Sequence, residues 1–103
     1  MKVINNNDLS FLKDKECHLL FYCTASWCGP CKKISPLIEK ISDGSDPEKL
    51  EIYKIDIDEN DEVSHKLNIK SVPTFLLFKN RELKEQCSGA DIKKVQDILK
   101  NIE

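Results

Sequence analysis

The stretch from His18 to Thr24 is apolar without interruption through Leu19, Leu20, Phe21, Tyr22 and Cys23. A run of this kind fits a β-strand covered on both faces. Such a strand cannot sit at a sheet edge or face water; it lies inside a sheet with helices packed above and below. That requirement sets the fold class as α/β. The same run is far too short to cross a bilayer, which takes about 20 residues.

The period of the apolar residues changes several times around this strand, and each change marks an element. Val3 and Ile4 form a short strand. Asp8 or Ser10 caps a short helix carrying Leu9, Phe11 and Leu12. After the central strand a helix carries Ile34, Leu37, Ile38 and Ile41 on one stripe. Pro36 falls inside it and kinks it, because its ring clashes with the preceding turn and it has no amide donor. Asp43-Gly44-Ser45-Asp46-Pro47 reads as a loop. Leu50 to Asp56 reads as a strand with Leu50, Ile52 and Lys54 on one face, and Glu59 to Leu67 as a short helix. Thr74 to Lys79 and Glu82 to Cys87 are strands separated only by Asn80-Arg81, which is hairpin spacing. Arg81 stands where glycine would be easier in a primed turn. Ile92, Val95, Ile98, Leu99 and Ile102 make a last amphipathic helix. The order is β-α-β-α-β-α-β-β-α. Right-handed crossovers make the helix-linked strands parallel, and the hairpin adds antiparallel ones. The expected architecture is a five-stranded mixed β-sheet flanked by four helices on both faces. With 103 residues and no repeat, linker or low-complexity tract, residues 1–103 read as a single domain.

Charge and cysteine content narrow the function. The net charge is -2, so no basic excess exists to neutralise phosphates, and nucleic acid is not expected as a partner. The N-terminus turns polar at Asn5, before a signal-peptide core can form, and the chain is expected to be cytoplasmic, with no membrane partner. Five cysteines are an odd number, a poor match to a structural disulfide framework in a reducing compartment. Cys17, Cys23 and Cys87 lie in or beside apolar segments, where cysteine packs as a small hydrophobe. Only Cys28 and Cys31 have a close spacing with known chemistry.

Trp27-Cys28-Gly29-Pro30-Cys31 follows the central strand and opens a helix. The unpaired amides and dipole of a helix start favour negative charge, so a thiolate at Cys28 is stabilised there. Cys31 lies one turn further in, close enough to bridge to Cys28 but shielded. Cys28 would attack a target disulfide, and Cys31 would resolve the mixed disulfide. No metal site is expected. Cys17, Cys23, Cys28 and Cys31 lack the two close pairs of a zinc ribbon. His18 and His65 have no second partner at ligand spacing. The acidic run Asp56, Asp58, Glu59, Asp61, Glu62 lacks the glycine and spacing of a calcium loop.

Trp27 to Lys32 resembles the active-site motif of the thioredoxin family without change. Pro36 matches that family's helix kink, and Val72-Pro73-Thr74 stands at its cis-proline loop. Phe78-Lys79-Asn80, Asp56 to Asn60, and Ser88-Gly89-Ala90 resemble further stretches in register, so the similarity covers nearly the whole chain. It implies the thioredoxin fold and reduction of protein disulfides through a Cys28–Cys31 redox pair. It further implies recharging by a thioredoxin reductase, no cofactor of its own, and a monomer. Gly29 and Pro30 would shape the motif. By the same resemblance Pro73 is cis and packs against the dithiol. Trp27, Val72, Pro73, Gly89 and Ala90 would form the rim that binds extended targets by strand addition. Two positions depart from the family. Six residues before Cys28 the family usually carries a buried carboxylate that helps deprotonate the resolving cysteine, and this chain has Tyr22, a poor base near neutrality. Lys54 matches the family's nearby buried lysine, now without that carboxylate. Cys23 replaces a tryptophan or serine and reads as repacked core, with a retuned redox couple as the alternative. The expected function is a general disulfide reductase and electron carrier. The alternatives are a dedicated reductant of one enzyme and a thioredoxin-like interaction module.

Overall fold

The computed structural model describes residues 1–12, 14–100 and 102. Five strands form one sheet: β1 (Lys2–Val3), β2 (His18–Thr24), β3 (Leu50–Asp56), β4 (Thr74–Lys79) and β5 (Glu82–Ser88). Their spatial order is β1-β3-β2-β4-β5, with β2 central. β2 runs parallel to β3 and antiparallel to β4, and β5 returns antiparallel beside β4. The helices are α1 (Gly29–Gly44), α2 (Asp61–Lys66) and α3 (Ile92–Leu99).

Because side chains alternate along a strand, β2 feeds two cores. Leu20 and Tyr22 point into one with Ile34 and Ile38 of α1, Phe75 and Leu77 of β4, and Val95 and Ile98 of α3. Leu19, Phe21 and Cys23 point into the other with Ile4, Leu12, Tyr53, Ile55 and Val63. The chain enters that second core through Asn60, which is fully buried. Its amide donates to the carbonyls of Ile4 and Asp56 at 3.1 Å each, and its side-chain oxygen accepts from the Asn7 amide at 2.9 Å. These bonds tie the ends of β1 and β3 together and offset the desolvation of a buried polar group.

Several elements differ from the sequence expectation. The fourth helix is a 3-10 turn, Ser10–Leu12. Asn6 and Asn7 at φ 55° reverse the chain before it, and Asp8 Oδ1 takes both the amide and the hydroxyl of Ser10. Three residues remain, too few for an α-turn to propagate. α2 begins at Asp61 rather than Glu59, because Asn60 is committed to the contacts above. Leu37 lies at the margin of the α1 stripe and keeps 40% of its surface exposed, so it is not core. α3 ends at Leu99. Ile102 still packs on the core, and its amide donates to the Leu99 carbonyl at 3.4 Å. The hairpin turn has φ of 52° at Asn80 and 67° at Arg81. These are the left-handed values a two-residue primed turn requires at both positions, reached here without glycine.

Candidate active site

β2 ends at Thr24, and four residues later the chain enters α1. Cys28 is the N-cap of α1, with extended backbone (φ -87°, ψ 105°), and its Sγ accepts the amide of Cys31 at 3.2 Å. Cys28 and Cys31 form a disulfide with their Cα atoms 5.3 Å apart. Both are almost wholly buried, at 4% and 1% exposure, in a small cluster with Ala25, Ile57 and Val72. The arrangement does three things to Cys28. It aims a backbone donor at the sulfur, places it at the positive end of a 16-residue helix, and sets Lys32 and Lys33 nearby with no acid in the first turn. Each favours a thiolate once the disulfide is opened.

The expected rim residues come together around this pair. The Val72–Pro73 peptide is cis. Cys28 Sγ lies 3.8 Å from the Val72 carbonyl oxygen; the disulfide sulfur carries no proton, so this is contact and not a hydrogen bond. The Gly89 amide donates to the Pro73 carbonyl at 2.9 Å, and Gly89 takes φ +95°, a left-handed value that glycine adopts without strain. That bond fastens the Gly89-Ala90 loop beside Pro73. Trp27 leaves 66% of its surface exposed, yet its indole Nε1 donates to Asp58 Oδ2 at 2.8 Å. At Gly29 an added Cβ would meet nothing within 4 Å, so the motif's outer face is open.

Beneath the dithiol, Tyr22 is fully buried and stacked on Phe75, with ring centroids 5.2 Å apart and planes 8° from parallel. Its hydroxyl donates to the Cys31 carbonyl at 2.9 Å and lies 2.8 Å from Ser35 Oγ. Lys54 is half-buried and sits opposite Tyr22 in the β2–β3 register. It lines a cleft of about 340 Å³ with Ser26, Lys32, Ser35 and Asp56. Cys17, Cys23 and Cys87 are separate from the site and unpaired.

Sequence reasoning missed two participants, Asp58 and Ser35. Asp58 read as part of an acidic run and of the family-like stretch Asp56 to Asn60, with no role of its own. Ser35 lies four residues after Cys31 and so shares its helix face, a signal that needed the position of Tyr22 to acquire meaning.

A family model described as Thioredoxin matches residues 2–103. A thioredoxin of Bacillus subtilis is 38% identical over 102 residues, covering 98% of this chain and 97% of that protein. A thioredoxin of Malassezia sympodialis is 44% identical over 75 residues, covering 73% of this chain and 71% of that one. Among solved structures, the thioredoxin of Fasciola hepatica superposes with a TM-score of 0.91 at 30% identity, each chain covered in full.

Proposed function

This chain belongs to the thioredoxin family and is a thiol–disulfide oxidoreductase, and from that premise we propose that it is a general reductant of protein disulfides in which Cys28 attacks and Cys31 resolves. The observation that carries the division of labour is the Cys31 amide donating to Cys28 Sγ at 3.2 Å. Cys28 Sγ is the sulfur held at the helix start with a donor pointed at it, among the described residues. In the reduced protein the Cys28 thiolate attacks one sulfur of a target disulfide. A Cys28–target bond forms, the target's own S–S bond breaks, and its electron pair leaves with the freed sulfur, which takes up a proton. Cys31 then attacks Cys28 Sγ. The Cys28–Cys31 bond forms and the target's second sulfur departs, with the proton Cys31 gives up. Two electrons have moved to the target, and a thioredoxin reductase would return them.

Trp27, Val72, Pro73, Gly89 and Ala90 are assigned to the target-binding rim, with the open face at Gly29 admitting the incoming sulfur. Pro30 starts the helix without adding a competing amide donor. Tyr22 and Lys54 are assigned to supporting the site from below. Residues 1–103 act as one domain and, in this reading, as a cytosolic monomer. Three unpaired cysteines suit a reducing compartment. The exposed β5 edge carries Glu82, Lys84 and Glu85, charges that oppose edge-to-edge pairing.

Insulin reduction driven by dithiothreitol tests the assignment. Cys28→Ser abolishes turnover, and Cys31→Ser accumulates mixed disulfides that persist on non-reducing gels. Activity retained by Cys28→Ser, or alkylation of Cys31 ahead of Cys28 at neutral pH, would overturn it.

A further inference from the structure

The turn of α1 that carries the second cysteine is the least self-sufficient part of that helix. Pro36 has no amide hydrogen, so the Lys32 carbonyl loses its partner four residues on, and the proline ring crowds the same carbonyl. Ser35, just before the proline, is itself biased away from helical backbone. At the other end, the bond from the Cys31 amide depends on the state of its acceptor, Cys28 Sγ. A thiolate accepts strongly, while a sulfur tied into a disulfide accepts weakly. The grip on Cys31 through its amide is therefore weakest when a target is attached to Cys28 and Cys31 has to strike.

The hydroxyl of Tyr22, 2.9 Å from the Cys31 carbonyl, is a side-chain bond on Cys31 that does not change with that cycle. Proton counting settles the direction of the network. A carbonyl cannot donate, so Tyr22 spends its single proton on Cys31, and the 2.8 Å contact with Ser35 Oγ is a bond that Ser35 donates. A hydroxyl that accepts one bond becomes a stronger donor in the next. The ring behind it is locked, stacked on Phe75 with no exposed surface.

We propose that Tyr22 and Ser35 are a positioning pair for the resolving step: Tyr22, polarised by Ser35, holds the backbone of Cys31 within reach of Cys28 while Cys28 is bonded to a target. The pair acts through Cys31 and touches neither target nor reacting sulfur. This deepens the Cys28–Cys31 assignment above and rests on it.

The test is single-turnover mixing of reduced protein with insulin, quenched in acid at intervals. Mass spectrometry then counts free, mixed-disulfide and oxidised forms. In Tyr22→Phe the mixed disulfide forms within about twofold of the wild-type rate but resolves roughly fivefold to tenfold more slowly, the loss of one hydrogen bond in the second step alone. Ser35→Ala slows resolution in the same direction by about twofold and Ser35→Thr restores it. The double variant resolves no more slowly than Tyr22→Phe, since Ser35 works only through the tyrosine hydroxyl. A purely structural brace would lower stability and leave the ratio of the two rates unchanged. Equal resolution rates in wild type and in folded Tyr22→Phe and Ser35→Ala, or both steps slowed alike, would overturn the proposal and leave the assignment of Cys28 and Cys31 standing. A wild-type protein forming no mixed disulfide at Cys28 would overturn both.

Discussion

Cys23 sits on β2 with no exposed surface, packed among Phe21, Tyr53 and Ile55, and burial pushes its thiol up from 9.0 to about 12. A raised pKa makes the native state hold its proton where the unfolded chain has released it. Between about pH 9 and 12 the unfolded state therefore binds fewer protons, and stability falls as pH rises, by up to about 1.4 kcal/mol per pH unit from this one group. Urea midpoints measured from pH 8 to 11 are expected to drop more steeply for the wild type than for Cys23→Ala. Parallel slopes would mean the thiol is hydrated in the native state. At this scale the sequence was legible where chemistry is local. Cys28 and Cys31 lie three positions apart and declare themselves. Trp27 and Asp58 meet across 31 positions, and Tyr22 and Ser35 across 13. No spacing rule reaches that far, because the sheet register and the seating of α1 create the contact.

α3 is eight residues long, shorter than a helix that stands alone in water, so its ends matter. Asp91 caps it, its Oδ1 accepting the Lys93 amide at 3.0 Å, while Val95 and Ile98 anchor its inner face. Removing the cap in Asp91→Ala should lower stability by about 1 kcal/mol, or roughly 4–8 °C in a domain of this size. Thermal unfolding followed by circular dichroism would show it, and an unchanged midpoint would mean that packing alone defines the helix start. Strands β2 to β5 were readable as elements, since continuous or alternating apolar patterns and a two-residue turn fix them locally. The exposed Leu37, the shortened α3 and the 3-10 turn were not. Periodicity names an apolar stripe, but the neighbouring layer decides how wide a stripe it covers and where the helix lets go.

The molecule as a whole is organised outward from β2. That strand is paired on both edges and covered on both faces, whereas β1 and β5 each have one free edge. Every residue of β5 except Cys87 is exposed. Native-state hydrogen exchange should follow this order, with the amides of Leu20 to Cys23 opening only on global unfolding and those of β5 opening sooner through local excursions. Protection in β5 equal to that in β2 would contradict a centre-out hierarchy. The covalent bond between Cys28 and Cys31 stands outside this hierarchy. It closes a ring of only four residues. Cross-linking so short a segment restrains the unfolded chain by about 2 kcal/mol, less than half of what a bridge across the whole domain would contribute. Opening so local a bridge therefore releases far less chain entropy than opening a domain-spanning one would, which suits a bond that the protein breaks and remakes on every cycle.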